Sequence, residues 1–579
     1  MIFAPWEKLH YAETHFKFKL PWSLLFRSWP EIIADMAFQA VPGETPILWI
    51  VMRDANRFPV VLEQAKVSIA AQGAPRSAWD VREIPLNIEA QQGFEFHPIP
   101  LEGIKPGRYC IYVEFTAKRI ADGKVRTFRR WSLPGLRAEP LTLQVLSEDL
   151  PKAPGYAAGE MHCHTHYSAD HVEFGATPQV FQQAAKAVGL DFVCCTDHAY
   201  DFAFTAEDYT REAESPMPRF QALKDEIAAL PEKYPLLLAG EEVSAGNSKG
   251  ENVHMTVLAP DEYLPGLGDC GRYWLDNMPT RKIPDHLKVT EAHCFAAHPL
   301  QPMGIIEKFV FRRGYWSHKD LNLNAEHKIR GIQFWNGMHD EGFMLGREFW
   351  ISELGKENYL LPIGGNDAHG DLNDTTAVEF PLLTLKHSRD HVFGKVRTVV
   401  KLDERRETRD ERGEARDERG ETRDERGEAR DERGEARDER REARDERGEA
   451  RDERRETRDV RRGSGDGLSL ESLNEAFAGD NCYITDGPAL WWERDGKRIH
   501  FHARCTADMG GCFRYIRIFG RKRKLDGKIA DKEVVDLHSM VVARASSDIT
   551  MDFEDYAYLR AECKTADGHF AMTSAAKAG

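Results

Sequence analysis

The sequence predicts an α/β protein: a barrel of parallel strands joined by helices, flanked by β-rich stretches. Three observations carry this. Apolar strand-like runs alternate with helical patterns between residues 156 and about 400. Period-two and aromatic runs dominate the first 155 residues and return after residue 490. Five His or carboxylate clusters each close an apolar run, as the C-terminal mouth of a strand barrel would place them.

Taking roughly 150 residues per domain, the 579 residues suggest about three domains, and 41% apolar content is enough to give them cores. Residues 1–155 read as a β-sandwich-like domain: Ile47 to Met52 and Tyr109 to Phe115 are β-branched and aromatic runs, the second after a Lys105-Pro106-Gly107 turn, and Leu141 to Val145 alternates. In 156–402, Thr177-Pro178 reads as an N-cap with proline at the first helical position. Val180, Phe181, Ala184 and Val188 follow at helical spacing, Gly189 ends the helix, and Phe192 to Cys195 forms a buried strand delivering Thr196-Asp197-His198. Leu236 to Leu238, Cys294 to Ala296, Ile332 to Phe334 and Tyr359 to Leu361 read as later strands, each running into polar residues.

From Asp403 to Arg458 a heptad of the type Asp-Glu-Arg-Gly-Glu-Ala-Arg recurs eight times. No heptad position is reliably apolar, so a coiled-coil seam cannot form, and the glycine in five copies costs a helix about 1 kcal/mol each. With 24 acidic and 19 basic residues the repeats cannot build a core. Residues 403–465 are therefore expected to be a disordered charged insertion, 466–490 a closing helix and strand, and 491–579 a C-terminal β-rich domain. In the closing segment Ser469 is placed to cap a helix bearing Leu470, Leu473, Ala476 and Phe477, with Gly479 at its end. Arg521 to Lys524 reads as a hairpin tip.

The net charge of −16 argues against a nucleic-acid surface. No apolar run reaches the ~18 residues of a membrane span, the start of the chain has no leader pattern, and the ten cysteines contain no CxxC pair. The expectation is a soluble, cytoplasmic protein with reduced thiols and no membrane or nucleic-acid partner.

The chemistry lies in the clusters. His162 and His164 are two residues apart on a strand, so both face one way and Cys163 faces the other. Asp170 lies in the following loop, His198 and Glu242 end later strands, His254 lies in a strand-like run, His298 precedes Pro299, and Asp367 and His369 are again two apart. Glu241 competes with Glu242, and Asp197 reads as a partner to a neighbouring ligand histidine. Any one of these alone is better explained as a core or hydrogen-bonding residue. The ordered set is not. Six imidazoles with three carboxylates suit Zn²⁺, Mn²⁺ or Fe²⁺ rather than Mg²⁺ or Ca²⁺, and nine ligands suit two or three ions.

His162-Cys163-His164-Thr165 with Ser168 and Asp170, Thr196-Asp197-His198, Gly240-Glu241-Glu242-Val243-Ser244, Ala297-His298-Pro299 and Gly365-Asn366-Asp367-Ala368-His369 resemble the ordered motifs of the PHP (polymerase and histidinol phosphatase) superfamily. Val396-Arg397-Thr398 and Thr485-Asp486-Gly487-Pro488 further resemble the closing segment of its carbaryl-hydrolase (CehA/McbA-type) branch. The resemblance implies a distorted seven-stranded (βα) barrel holding up to three ions. One ion would take His162, His164, Glu242 and Asp367; a second would share Glu242 and add His254 and His298; a third would take Asp170, His198 and His369. Three positions depart from the pattern: Glu160-Met161 for Asp-Leu, Asn366 for Ser, and Gln333 where an acid is frequent.

The expected activity is phosphoester hydrolysis by a metal-activated hydroxide, with Glu242, Asp367 and His198 in catalytic roles and Arg397 and Asn336 as substrate contacts. His166, Tyr200 and His339 also flank the clusters, but each is better explained as a rim or core polar residue. Two alternatives stand beside this: hydrolysis of a carbamate or carboxylic ester by the same centre, and a non-catalytic binding or scaffold protein with a degenerate barrel.

Overall fold

A computed structural model describes residues 8–10, 28–132, 139–168, 175–203, 217–269, 277–322, 329–370, 372–379, 384–402, 468–523, 535–542 and 544–577. The heptad tract lies outside them. The architecture is α/β with strands predominating and several sheets.

In the N-terminal region β1 (Lys8–His10) is followed by β2 (Glu31–Met36), β3 (Gln39–Ala40), β4 (Ile47–Arg53), β5 (Val60–Ala71), β6 (Asp80–Ala90), β7 (Phe94–Pro100), β8 (Gly107–Arg119), β9 (Val125–Arg129) and β10 (Leu141–Val145). One sheet runs β3-β10-β8-β5-β6 with β9 on β8, and a second runs β2-β4-β7. Burial alternates along β5 and β10, so one face of each is apolar. These faces share a core with the second sheet through Ile32, Ile50, Leu62, Val67, Phe115 and Leu143. The two sheets thus share one apolar core. β4 is buried on both sides, because Trp49 and Val51 pack outward on the next region.

There β11 (Tyr156–Cys163), β12 (Phe192–His198), β13 (Leu236–Gly246), β14 (Asn252–Val257), β15 (Cys294–Ala297), β16 (Ile329–Asn336) and β17 (Leu361–Gly365) lie in the order β17-β16-β15-β14-β13-β12-β11. β11 and β12 are buried at every position, as central strands covered on both faces must be. Gly159 permits their close approach: a Cβ there would fall 2.2 Å from the Phe192 ring. β11, β12 and β13 are parallel, as are β15, β16 and β17. β14 departs from the all-parallel expectation, pairing antiparallel with β13 and β15. Beyond β17, the Asp367 N–H donates to His162 O at 2.7 Å and the His164 N–H to Ala368 O at 2.8 Å, which brings this end of the order against β11.

The helix Pro178–Val188 forms as its punctuation dictates. The Thr177 hydroxyl accepts from the Val180 N–H, and Gly189 adopts φ 77° while donating to Ala185 O. Its Val180, Phe181, Ala184 and Val188 meet Val193, Leu237, Trp49 and Val51 in one core.

After β17 come β18 (Thr375–Glu379) and β19 (Thr384–Ser388), which form a small sheet with β1. β20 (Arg397–Lys401) then pairs antiparallel with β11 and with β21 (Cys482–Thr485). The closing helix is Leu470–Ala478, capped by the Ser469 hydroxyl, with Leu473, Ala476 and Phe477 buried. Beyond it are β22 (Ala489–Asp495), β23 (Arg498–Arg504), β24 (Phe513–Lys522), β25 (Val535–Val542), β26 (Ser546–Asp552), β27 (Tyr556–Thr565), β28 (Phe570–Thr573) and β29 (Ala576–Lys577). The C-terminal strands do not form an isolated layer after residue 490: β28 pairs with β21, so the central sheet continues into β28, β27, β24 and β25. Arg521 and Lys522 end β24, which pairs antiparallel with β25, and Lys524 lies outside the described residues. No helix among the described residues is long and apolar enough to cross a membrane.

A stitch joins the N-terminal sheets to the segment after β17. The buried Arg130 guanidinium is bidentate on Asp374, and the Asp35 carboxyl accepts from the Leu372 N–H at 2.9 Å. Asp374→Ala would strand the Arg130 charge, and a loss of about 3–5 kcal/mol is expected in urea unfolding. Burial pushes the Asp35 carboxyl up to about 7, against the pull of the Arg130 guanidinium. The folded chain therefore keeps a proton that the unfolded chain releases above about pH 4. The stability Asp35 contributes is full below that pH and is lost as pH rises through about 7. Asp35→Asn should flatten this decline, read as urea midpoints at about pH 5 and about pH 8.

Candidate metal centre

Strand alternation sets the first two ligands. His162 and His164 leave β11 on one face, while Cys163 turns into the apolar core with its Sγ 3.6 Å from Cys194 O. β12 delivers His198, β13 delivers Glu242, and β14 presents His254 opposite Ser244 of β13. His298 follows β15, and Asp367 and His369 follow β17. His298 (φ 26°) and Asp367 (φ 53°) both sit in the left-handed region, a strain of about 1–3 kcal/mol each that the surroundings must hold.

These side chains converge. Their ligand atoms form three groups, each within 4.8 Å: His164, His198 and His369; His162, His164, Glu242 and Asp367; and Glu242, His254 and His298. Eight of the nine expected ligands thus meet, and Asp170 lies outside the described residues. Glu242, only 1% exposed, is the hub. Its Oε1 is 2.8 Å from His254 Nδ1, 3.1 Å from His298 Nε2 and 3.3 Å from His162 Nε2. Its Oε2 is 2.9 Å from His198 Nδ1 and 3.5 Å from His164 Nε2. Asp367 Oδ1 lies 3.0 Å from His164 Nε2 and 3.4 Å from His162 Nε2.

The charges are arranged for a cation. Burial alone would raise the Glu242 and Asp367 carboxyls, but the surrounding imidazoles, led by His254 and by His162 respectively, hold both well below the usual range. Burial pushes His164 down to about 3, with His369 and His198 adding to the effect, and it lowers His298 as well. His164 is therefore a neutral donor at pH 7, and its short contacts to Asp367 and Glu242 are not ion pairs. His254 is raised to about 9: burial opposes its charge, but Glu242 and Asp269 outweigh it. Burial opposes a charge on His162 too, but Glu242 and Asp367 outweigh it and raise that ring as well. His162 and His254 would therefore lose protons on binding a cation, whereas His164 is already neutral. This buried cluster can hold a metal ion.

An outer layer orients the ligands. Gln333 Oε1 lies 2.8 Å from His162 Nδ1, Gln333 Nε2 donates to Asn336 Oδ1 at 2.9 Å, and Asn336 Nδ2 donates to Asp367 Oδ2 at 3.1 Å. The Glu160 carboxyl accepts from the backbone N–H groups of His162 (3.1 Å), Asn366 (3.0 Å) and Gly394 (3.0 Å) and from the Asn366 side chain. Glu160, Asn366 and Gln333 are thus joined to the centre, and Glu160 and Asn366 bond each other. Gly365 lets β17 approach here, since a Cβ would stand 2.8 Å from His162 Cβ.

Several expectations are corrected. Asp197 does not orient an imidazole directly. It accepts from the Thr165 N–H (2.7 Å), the Thr165 hydroxyl (2.8 Å) and the Ser168 hydroxyl (2.8 Å), and Ser168 in turn lies 3.4 Å from His164 Nδ1. Arg397 does not reach the cluster: its Nε donates to Gly394 O and its Nη2 to Val188 O, at the far end of the helix Pro178–Val188. Asn336 does reach it, through Asp367. Glu241 turns away and accepts from the Leu264 N–H at 3.0 Å, which settles the choice for Glu242. Of the flanking residues, Tyr200 stacks on His198 at 4.6 Å, His166 lies 3.5 Å from Glu226, and His339 stacks on Trp335. Sequence reasoning missed Asp269, whose Oδ2 lies 2.9 Å from His254 Nε2 and accepts from Arg313 Nε at 2.7 Å. It sits in the Gly266-Leu267-Gly268 loop, with no apolar run before it to mark a strand end.

No family model matches this chain, and no curated protein matches its sequence. Among solved structures, a β-D-mannosidase from Dictyoglomus thermophilum aligns at 10% identity with a TM-score of 0.21, over 99% of this chain and 72% of that one, a likeness too slight to carry an argument.

Asp269→Asn keeps the shape but removes the charge facing His254 Nε2. It is expected to weaken cation affinity about 10–100-fold with the fold intact, measured by competition with a chromophoric chelator.

Proposed function

We propose that this chain is a metal-dependent hydrolase, a phosphoesterase of the PHP superfamily, with a distorted seven-stranded barrel formed by β11 to β17. The observation that carries the reading is one buried carboxylate, Glu242, met by five imidazoles within 3.5 Å, with Asp367 alongside. The donor set fits Zn²⁺, Mn²⁺ or Fe²⁺, and its three overlapping groups fit two or three ions.

When bound, such cations supply Lewis acidity that makes water acidic near neutral pH and offsets charge on a phosphoryl group. The chain's own residues do the rest. Glu242, shared between two of the groups, would help hold a cation in either, and His164 is shared with the third group. Asp367 holds the next position, oriented through Oδ2 by the Asn336 amide. His198, at the end of β12 beneath Tyr200, completes the His164–His369 group. Burial strengthens every charge interaction in the cluster. The substrate is a phosphoester, with Asn336, which ends β16, beside Asp367.

A second reading, hydrolysis of a carbamate or carboxylic ester, is favoured by one feature. The Val396-Arg397-Thr398 and Thr485-Asp486 stretches that resemble the carbaryl-hydrolase branch lie on paired strands, with Arg397 opposite Thr485.

Metal-stripped protein should be inactive and regain activity with Zn²⁺ or Mn²⁺. p-Nitrophenyl phosphate should be turned over faster than 1-naphthyl N-methylcarbamate, and Glu242→Gln should lose activity by more than about a hundredfold. The reverse preference would select the second reading. A purified protein without stoichiometric transition metal, inert after reconstitution, would leave a scaffold.

A further inference from the structure

A cavity of about 210 Å³ lies apart from the metal cluster, and none of the candidate ligands lines it. Three distant stretches build it: β3 and β10 with the chain around them, the segment Arg389 to Arg397, and a C-terminal wall including Asp486, Met509 and His569. Arg397 and Lys395 make no ion pair within 4.0 Å among the described residues, although Asp486 acts on both at longer range, with Asp191 on Arg397 and Asp390 on Lys395. Arg397 is 6% exposed, yet among the described residues no carboxylate lies within 4.0 Å of it, and its hydrogen bonds go to two backbone carbonyls. Arg130 and Arg560, buried to a like degree, meet Asp374 and Glu562 respectively. Lys395 likewise bonds only a carbonyl, Arg389 O, at 3.2 Å.

The acids in the wall also carry hydrogen bonds of their own. Asp508 accepts from the Ser147 N–H and hydroxyl at 2.8 and 2.9 Å, and Asp486 accepts from the Phe570 N–H at 2.6 Å and faces His569. Burial lowers both Arg397 (to about 10) and Lys395, as expected of cations withdrawn from water without a full partner. Phe38, Leu146, Leu150 and Met509 give the rest of the wall an apolar character.

We propose that this cavity binds a small organic anion, its carboxylate or phosphate on Arg397 and Lys395 and its apolar body against Phe38, Leu150 and Met509. The space is large enough for a single ring or a short chain. Because the walls come from three stretches, occupancy ties them together. The site is independent of the hydrolase reading: it stands or falls without any turnover.

The test uses the full chain carrying Glu242→Gln, stripped of metal so that the cluster cannot capture an anion through a bound cation. Benzoate, phenyl phosphate and the neutral benzamide are titrated by calorimetry and by thermal melting. Benzoate or phenyl phosphate should bind saturably and raise the melting temperature, and which of them binds more tightly identifies the head group; benzamide should not bind. Lys395→Met should weaken anion binding roughly tenfold, and Val392→Phe, which fills the cavity, should abolish it. The proposal is overturned if neither anion binds at about 10 mM, if benzamide binds as tightly, if binding is seen only with the intact metal cluster, or if Lys395→Met leaves the affinity unchanged.

Discussion

A carboxylate without water is the constraint around which this molecule is organised. Taking an ion of this kind into a dry interior costs several kcal/mol unless opposite charge or strong donors meet it. Glu242 is buried and surrounded by nitrogen atoms of five histidines, among them His164, which stays neutral. His254 and His162 are raised and supply positive charge beside Glu242, while the neutral His164 adds a further nitrogen donor. The same set of donors suits a cation that the carboxylate also binds. The left-handed backbone at His298 and Asp367 fits the same picture, since strain of this kind persists where a site demands it.

The layer behind the ligands explains how the cluster keeps its shape. His162 is held through Gln333, His254 through Asp269 and Arg313, and His164 through Ser168 and Asp197. Glu160 binds three backbone N–H groups where β11 meets the chain after β17, so one buried carboxyl fixes both His162 and the turn that carries Asp367. Its own pKa is raised by burial, with the Asn366 amide opposing. The Asn366 side chain also bonds Glu160, so the two buried groups hold each other in place.

The N-terminal sheets also serve the centre. The segment that carries Asp367 and His369 continues into Leu372, Asn373 and Asp374, and each is held from the N-terminal side. Leu372 donates to Asp35 and packs near Trp49, Asn373 accepts from the Thr142 N–H at 2.9 Å, and Asp374 meets Arg130. Two ligands therefore depend on a brace that lies more than two hundred residues earlier in the chain.

Much of the centre was legible in the residues alone. Two histidines separated by one residue on a strand must share a face, and an apolar run closing on Asp-His or Glu-Glu marks a strand end; both are local periodicities that survive without a structure. The caps at Thr177, Gly189 and Ser469 were readable for the same reason. What the tertiary structure decided is every choice between near neighbours and every through-space partner: Glu242 over Glu241, Ser168 rather than a ligand histidine as the neighbour of Asp197, Asp269 from an unmarked loop, and Arg397 turned to another cavity. It also decided that the C-terminal strands extend the central sheet. Sequence spacing encodes which way a side chain leaves its own strand; which atoms it meets depends on strands and loops that arrive from elsewhere in the chain.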